Sequence, residues 1–285
     1  ERVLVDEPMK KHTTFRVGGN ADYFVMPRTI EEIQQVIVLC RKENLPYYIL
    51  GNGSNLLVGD KGYRGVIIQI YKEMNKITVE GECIRAQAGA LLSKVGSVAL
   101  EAELTGFEFA AGIPGAVGGA VVMNAGAYGG EISQVCESVA VMDMEGNLSV
   151  YSADEMQFSY RHSILEDEGG IVVSAVFRLE HKPVEEIRAR MKELMGKRSA
   201  SQPLDLPSAG SAFKRPVGGY AAALIDQAGL KGFQVGGAAI STKHCGFAVN
   251  LGGATAADVQ ELLQQVSDKV FERTGIRLEP EVRIW

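Results

Sequence analysis

Gly106-Phe107-Glu108-Phe109-Ala110-Ala111-Gly112-Ile113-Pro114-Gly115-Ala116-Val117-Gly118-Gly119-Ala120, running on to Asn124-Ala125-Gly126-Ala127-Tyr128-Gly129-Gly130, places eight glycines in 25 residues. Small apolar residues separate them, unlike a Gly/Ser linker, so the segment reads as ordered and partly buried. A second glycine loop, Gly51-Asn52-Gly53-Ser54-Asn55, lies upstream. Without Cβ atoms, both loops can turn successive backbone N–H groups toward a diphosphate. After Gly51 and Gly53 the third glycine position is Leu56, and no G-x-x-x-x-G-K-[ST] occurs, so neither a Rossmann nor a P-loop site fits. The sharper reading is a dinucleotide on a non-Rossmann fold, with Asn55 and Asn124 as hydrogen-bonding side chains; the plainer one is two turn-rich loops.

Around these loops the elements alternate. Thr29 and Glu32 form a capping-box pattern before the stripe Ile33, Val36, Ile37, Cys40, which predicts a helix. Tyr47–Leu50 and Val66–Ile70 read as strands, and residues 91–102 as a helix. Val139–Met142 and Leu148–Tyr151 flank Glu145-Gly146-Asn147 as a hairpin, and Ile171–Leu179 reads as a buried strand. Pro183 opens a helix with Ile187 and Leu194 on one face, and the polar stretch Ser199–Pro216 reads as a functional loop. A last helix begins at Thr255, with Asp258 as box partner, and ends at Gly275. Beyond it Ile276, Leu278, Val282 and Ile284 alternate with charged residues, as in a strand.

The 285 residues carry 29 Lys+Arg against 35 Asp+Glu, a net charge of −6. Bulk attraction to nucleic acid or an anionic membrane is therefore excluded, and any anionic ligand must be held locally. Glycine is 33 of 285 residues, well above the usual share of about 7%. The four cysteines lie far apart without C-x-x-C pairs, and no histidine has metal spacing, so no metal is expected and the cysteines read as core. No run nears 18 apolar residues and residues 1–11 lack a signal-peptide core, which points to the cytoplasm.

Three further stretches could carry chemistry. Ser211 sits beside Gly210 and shortly before Lys214 and Arg215, a turn that can receive an anion or simply face solvent. No G-x-S-x-G elbow surrounds it, so it suits proton transfer better than nucleophilic attack. Arg161, in Tyr160-Arg161-His162-Ser163, can clamp a carboxylate or cap a loop. Glu281 is either a solvated strand charge or a cleft residue.

Together these stretches resemble one family, the flavoprotein UDP-N-acetylenolpyruvoylglucosamine reductases of peptidoglycan synthesis. The likeness runs in order over nearly the whole chain. It passes from Thr13-Thr14-Phe15-Arg16-Val17-Gly18-Gly19 through both glycine loops, Asn124–Gly129 and Tyr160–Ser163. It continues through Gly210-Ser211-Ala212-Phe213-Lys214 to Glu279-Pro280-Glu281-Val282. The resemblance implies an α+β protein. A non-Rossmann, PCMH-type FAD-binding domain of two subdomains (about 1–71 and 72–182) would be followed by a C-terminal α/β substrate domain, 183–285. It implies that NADPH reduces FAD, which then delivers hydride to the enolpyruvyl β-carbon of a UDP-sugar, giving UDP-N-acetylmuramate. Neither loop holds a histidine, so the FAD is expected to be noncovalent.

By motif, the resemblance assigns cofactor binding to Gly51, Asn52, Gly53, Ser54, Asn55, Gly112, Ile113, Pro114, Gly115, Gly118, Asn124, Ala125 and Gly126. Arg161 and Glu281 would stabilise the enolate-like charge that hydride addition creates, and Ser211 would protonate the α-carbon. Glu281 can donate only if its pKa is raised by burial or a like charge. Lys214, Arg215 and Arg198 are candidate contacts for the UDP diphosphate. The expected partner is a small UDP-sugar enolpyruvyl ether, with no nucleic acid, no membrane and a monomeric enzyme. The chain departs from the family pattern at Arg215 and Gly246, where many members have Asn, and it lacks the extra substrate-capping Tyr loop of one branch. A flavin oxidase of the same cofactor fold would leave Ser211 without a role. A non-catalytic nucleotide-sugar binder would need neither Glu281 nor flavin.

Overall fold

The computed structural model describes residues 2–285, which divide into two compact units. The first comprises the residues through Leu4, Tyr23–Asn52 and Gly65–Arg198; the second comprises Val5–Asp22, Gly53–Arg64 and Ser199–Trp285. Both mix helix and strand, in keeping with an α+β reading.

In the first unit an antiparallel five-stranded sheet runs in the order Leu148–Ser152, Cys136–Met142, Ile171–Arg178, Cys83–Gln87, Ile77–Glu80. The strand Ile171–Arg178 is central and buries residues of both faces, which is why it reads as a continuous apolar run. The expected hairpin forms around Asp143, whose carboxylate accepts the backbone N–H of Glu145 and of Asn147. In a second, four-stranded sheet Tyr47–Leu50 pairs in parallel with Val66–Gln69. The helix Ile30–Lys42 buries Ile33, Ile37 and Cys40, and Thr29 accepts the Glu32 N–H as anticipated. The box closes differently, because the Glu32 carboxylate reaches one residue further back, to the N–H of Arg28. The glycine segment differs from its sequence reading in one element: Val117–Val122 is a short helix packed on the central strand. Two consecutive glycines mask it, since glycine weakens a helix by about 1 kcal/mol per residue. Here Gly118 is kept because a Cβ would lie 3.0 Å from that of Ala88.

The second unit centres on the helix Ala256–Thr274, packed against the antiparallel strands Gln234–Val235, Ala238–Ile240 and Ala248–Asn250. Its capping box is complete, with Thr255 and Asp258 exchanging backbone bonds, and Gly275 ends it at φ +72°. Asp60 adds two bonds, accepting the N–H of Ala256 and of Ala257.

A single cut between residues 182 and 183 does not describe these units. The helix Val184–Ser201 begins after Pro183 and stays with the first unit as far as Arg198, where Met191 approaches Gly96. It also carries the chain three residues into the stretch read as loop, Ser199 to Ser201. The second unit borrows early segments because its C-terminal strand, Arg283–Ile284, pairs in parallel with Leu56–Leu57, and Leu278 and Val282 pack with Phe15, Val17 and Leu57. The tail is therefore not one alternating strand. Pro280 interrupts it and Ile284 is exposed.

All four cysteines are thiols. Burial pushes the Cys136 thiol up to about 12, so it stays protonated as a core residue. No helix among the described residues is long and apolar enough to cross a membrane. Replacing Thr255 by Ala is expected to lower the unfolding free energy by about 1 kcal/mol, measured as a reduced urea midpoint at unchanged slope.

Candidate functional site

In the first unit the two glycine loops meet. The Asn52 side chain donates to the Pro114 carbonyl at 2.8 Å, and Gly51 faces Ala116, so Gly51-Asn52 and Gly112–Gly115 form one surface. The N–H of Gly118 is held by Ala88 O at 2.8 Å, which gives this glycine a packing role, whereas beside Gly119 a Cβ would meet nothing within 4 Å. A cavity of about 380 Å³ opens next to this surface, lined by Phe109, Gly112, Tyr128, Met191, Met195 and Arg198. Burial lowers the pKa of the Arg198 guanidinium, and no carboxylate pairs with it among the described residues. It remains charged, since the ordinary value of about 12.5 leaves ample margin.

Arg161 belongs to the same unit. It sits in the left-handed region at φ +55°, in a turn closed by mutual backbone bonds between Ser159 and His162. Its guanidinium donates to Gly126 O at 3.0 Å and Asn124 O at 3.4 Å, and lies 5.1 Å from the Tyr160 ring centre. Asn124 is fully buried, and its side chain is engaged at both ends: Nδ2 donates to Ser159 O and Oδ1 accepts from Ser133 N, each at 2.9 Å. This side chain therefore faces protein, not ligand. Ser163, also fully buried, donates to Val122 O at 2.6 Å. Its part in holding the turn was not visible from sequence, because any serine near a turn looks alike.

In the second unit the segment around Ser211 forms bridges to both sides, Ser211 with Phe247 and Phe213 with Pro280. Ala212 donates to Gly246 O at 2.8 Å and accepts from Glu281 N at 2.9 Å, which sets the segments of Ser211 and Glu281 side by side. Ser211 is exposed, and its hydroxyl has no protein partner among the described residues. Asn55 braces the Glu281 segment: Nδ2 donates to Glu281 O at 3.2 Å, and its carbonyl accepts from Arg283 N at 3.1 Å. Lys214 pairs with Glu279 at 3.6 Å, and Arg215 stacks on Tyr220 at 4.1 Å. The Lys214 pair is exposed and adds little to stability.

Gly53, at φ +63°, returns its carbonyl to Thr14 N, and a Cβ there would lie 2.1 Å from His12 O. No acceptor among the described residues takes the N–H of Gly53 or Ser54. These adjacent donors and the bare glycine backbone fit the diphosphate of FAD. Among the described residues no group of three His, Cys, Asp or Glu could hold a metal ion.

The model of an FAD binding domain matches residues 21–151, and that of a UDP-N-acetylenolpyruvoylglucosamine reductase C-terminal domain matches residues 202–285. The chain is similar to the UDP-N-acetylenolpyruvoylglucosamine reductase of Clostridium botulinum, 50% identical over 99% of this chain and 92% of the relative. It is 51% identical to that of Agathobacter rectalis, over 99% and 93%. The crystal structure of the reductase from Thermus caldophilus superposes with a TM-score of 0.85 at 41% identity, covering 99% of this chain and 98% of that one.

His244 supports the Ser211 segment indirectly, since its Nδ1 accepts the N–H of Gly246 at 3.1 Å, which requires a neutral ring protonated on Nε2. Burial lowers its pKa. The unfolded chain thus takes up a proton first as pH falls. The stability tied to this turn is complete above the ordinary value of about 6.5 and is lost as pH drops through the lower native value. Urea midpoints across pH 5–7.5 are expected to fall on the acid side, and His244→Gln is expected to flatten that slope.

Proposed function

The chain belongs to the UDP-N-acetylenolpyruvoylglucosamine reductase family, and from that premise we propose how its own residues divide the chemistry. It is an FAD-dependent oxidoreductase that converts UDP-N-acetylglucosamine enolpyruvate to UDP-N-acetylmuramate in peptidoglycan synthesis. When bound, FAD supplies the two-electron relay from NADPH to the enolpyruvyl β-carbon.

Hydride arriving at the β-carbon drives negative charge onto the α-carbon and the substrate carboxylate. Arg161 receives that carboxylate, its guanidinium already oriented by two backbone carbonyls. The Ser211 hydroxyl gives its proton to the α-carbon, and Glu281 in its protonated form donates to the enolate-like charge. The observation that carries this assignment is the bond from Glu281 N to Ala212 O, which keeps Ser211 and Glu281 on neighbouring segments without help from any side chain. Gly51, Asn52, Gly53, Ser54, Asn55, Gly112, Ile113, Pro114, Gly115, Gly118, Ala125 and Gly126 hold FAD noncovalently.

Arg198 faces the UDP diphosphate from its cavity, as a guanidinium without a protein carboxylate. Lys214 and Arg215 add to the same recognition. NADPH is the reductant. The acidic chain, with its net charge of −6, works as a cytoplasmic monomer that does not engage nucleic acid.

Anaerobic stopped-flow spectra separate the two halves of the reaction. In Ser211→Ala, bleaching of the flavin by NADPH is expected to stay within about twofold of the parent. Recovery on adding the enolpyruvyl substrate should slow by about 10²- to 10⁴-fold, the usual worth of a positioned acid. Equal slowing of both phases removes Ser211 from the proton step.

A further inference from the structure

We infer that Asn124 is a positioning residue for Arg161: its side chain sets the carboxylate-binding guanidinium in place and makes no contact with FAD or substrate. The inference rests on the role given to Arg161 above. Three observations lead to it. Asn124 is fully buried and each end of its amide bonds to backbone, so the side chain is committed to its protein neighbours and not to the solvent side of the glycine loop. The Nδ2 acceptor is the carbonyl of Ser159, the residue that closes the Arg161 turn through its mutual bonds with His162. The carbonyl of Asn124 itself then accepts from Arg161 Nη1, while Gly126, two residues on, accepts from Nη2.

One residue therefore touches the arginine twice, through the backbone that carries it and through its head group. Both Asn124 and Arg161 lie in the left-handed region, at φ +42° and +55°. That conformation is costly for residues other than glycine and persists where surrounding bonds over-determine it. The buried Ser163–Val122 bond supplies the second tie between the same two segments. With either tie cut, the turn can rotate and carry the guanidinium away from the substrate carboxylate. Misplacement by about 1 Å costs about 10²-fold in a reaction that depends on orientation.

The test uses the FAD-loaded enzyme and a double-mutant cycle on the two half-reactions. Asn124→Ala is expected to leave flavin bleaching by NADPH within about twofold and to slow recovery with UDP-N-acetylglucosamine enolpyruvate by about ten- to hundredfold. Added to Arg161→Ala, the same substitution should slow recovery by less than about twofold further, because its effect passes through the arginine. Should Asn124→Ala not fold, the near-isosteric Asn124→Asp keeps an acceptor for Ser133 N but sets a carboxylate oxygen against the Ser159 carbonyl in place of the donor; it should slow recovery at least as much, and Ser163→Ala should give a weaker version of the pattern. Effects that multiply in the double variant, equal slowing of both phases, or failure of both Asn124 variants to fold each overturn the inference in favour of a purely architectural asparagine. Loss of FAD with an intact turn assigns Asn124 to the cofactor instead. If Arg161→Ala recovers at the parental rate, the role given to Arg161 fails, whereas an unmoved Ser159–His162 turn in a crystal structure of Asn124→Ala fails the inference alone.

Discussion

At Gly53 a Cβ would stand 2.1 Å from His12 O, and at Gly89 one would stand 2.1 Å from Tyr71 O, so at both points main chain must pass main chain without side chains between. This close approach of bare backbone is the constraint on which the site arrangement rests. It accounts for much of the glycine excess. It also leaves N–H groups, as at Gly53 and Ser54, outside any helix or sheet ladder. A diphosphate is the type of ligand such donors suit, because many weakly directional N–H bonds can share its charge. The chain thus binds FAD without a Rossmann fingerprint.

Loops built this way lack the regular bonding that stiffens a helix or a sheet, and short polar side chains take over that task. Asn52 joins the two glycine loops, Asn55 braces the Glu281 segment and Asn124 braces the Arg161 turn. Asn250 repeats the device away from the chemistry, donating to Phe15 O and accepting from Gly252 N. A side-chain amide suits the role because one planar group carries both a donor and an acceptor. Buried without partners it would be costly, so each one found buried is fixed in place by its two bonds.

Legibility in the sequence followed the range of the forces involved. The helix after Thr255 could be read end to end, because its cap, apolar stripe and terminal glycine are all local signals. So could the hairpin around Glu145-Gly146-Asn147. The helix Val117–Val122 was hidden because its stability comes from packing on the central strand and not from its own Val-Gly-Gly-Ala propensity. The alternation after Gly275 held for Leu278 and Val282, which are buried, but misled beyond them, since Pro280 interrupts the strand and Ile284 is exposed. The division of the chain was obscured by a parallel pairing between Leu56–Leu57 and the C-terminal strand. At the site, Arg161, Ser211 and Glu281 were singled out by residue type and order through family resemblance, and their roles remain the proposal made above. The side chains of Asn55 and Asn124 carried no sequence sign that they would face protein, since an asparagine in a glycine loop looks the same whether it holds a ligand or a neighbouring turn.

The central claim is that the protein reduces the enolpyruvyl group of a UDP-sugar, and proton NMR of the complete reaction tests it most directly. With FAD-loaded protein, NADPH and UDP-N-acetylglucosamine enolpyruvate, the vinyl signals should vanish in step with NADPH oxidation while a lactyl methyl doublet and its methine quartet appear. Oxidation of NADPH with the vinyl signals intact would contradict the account.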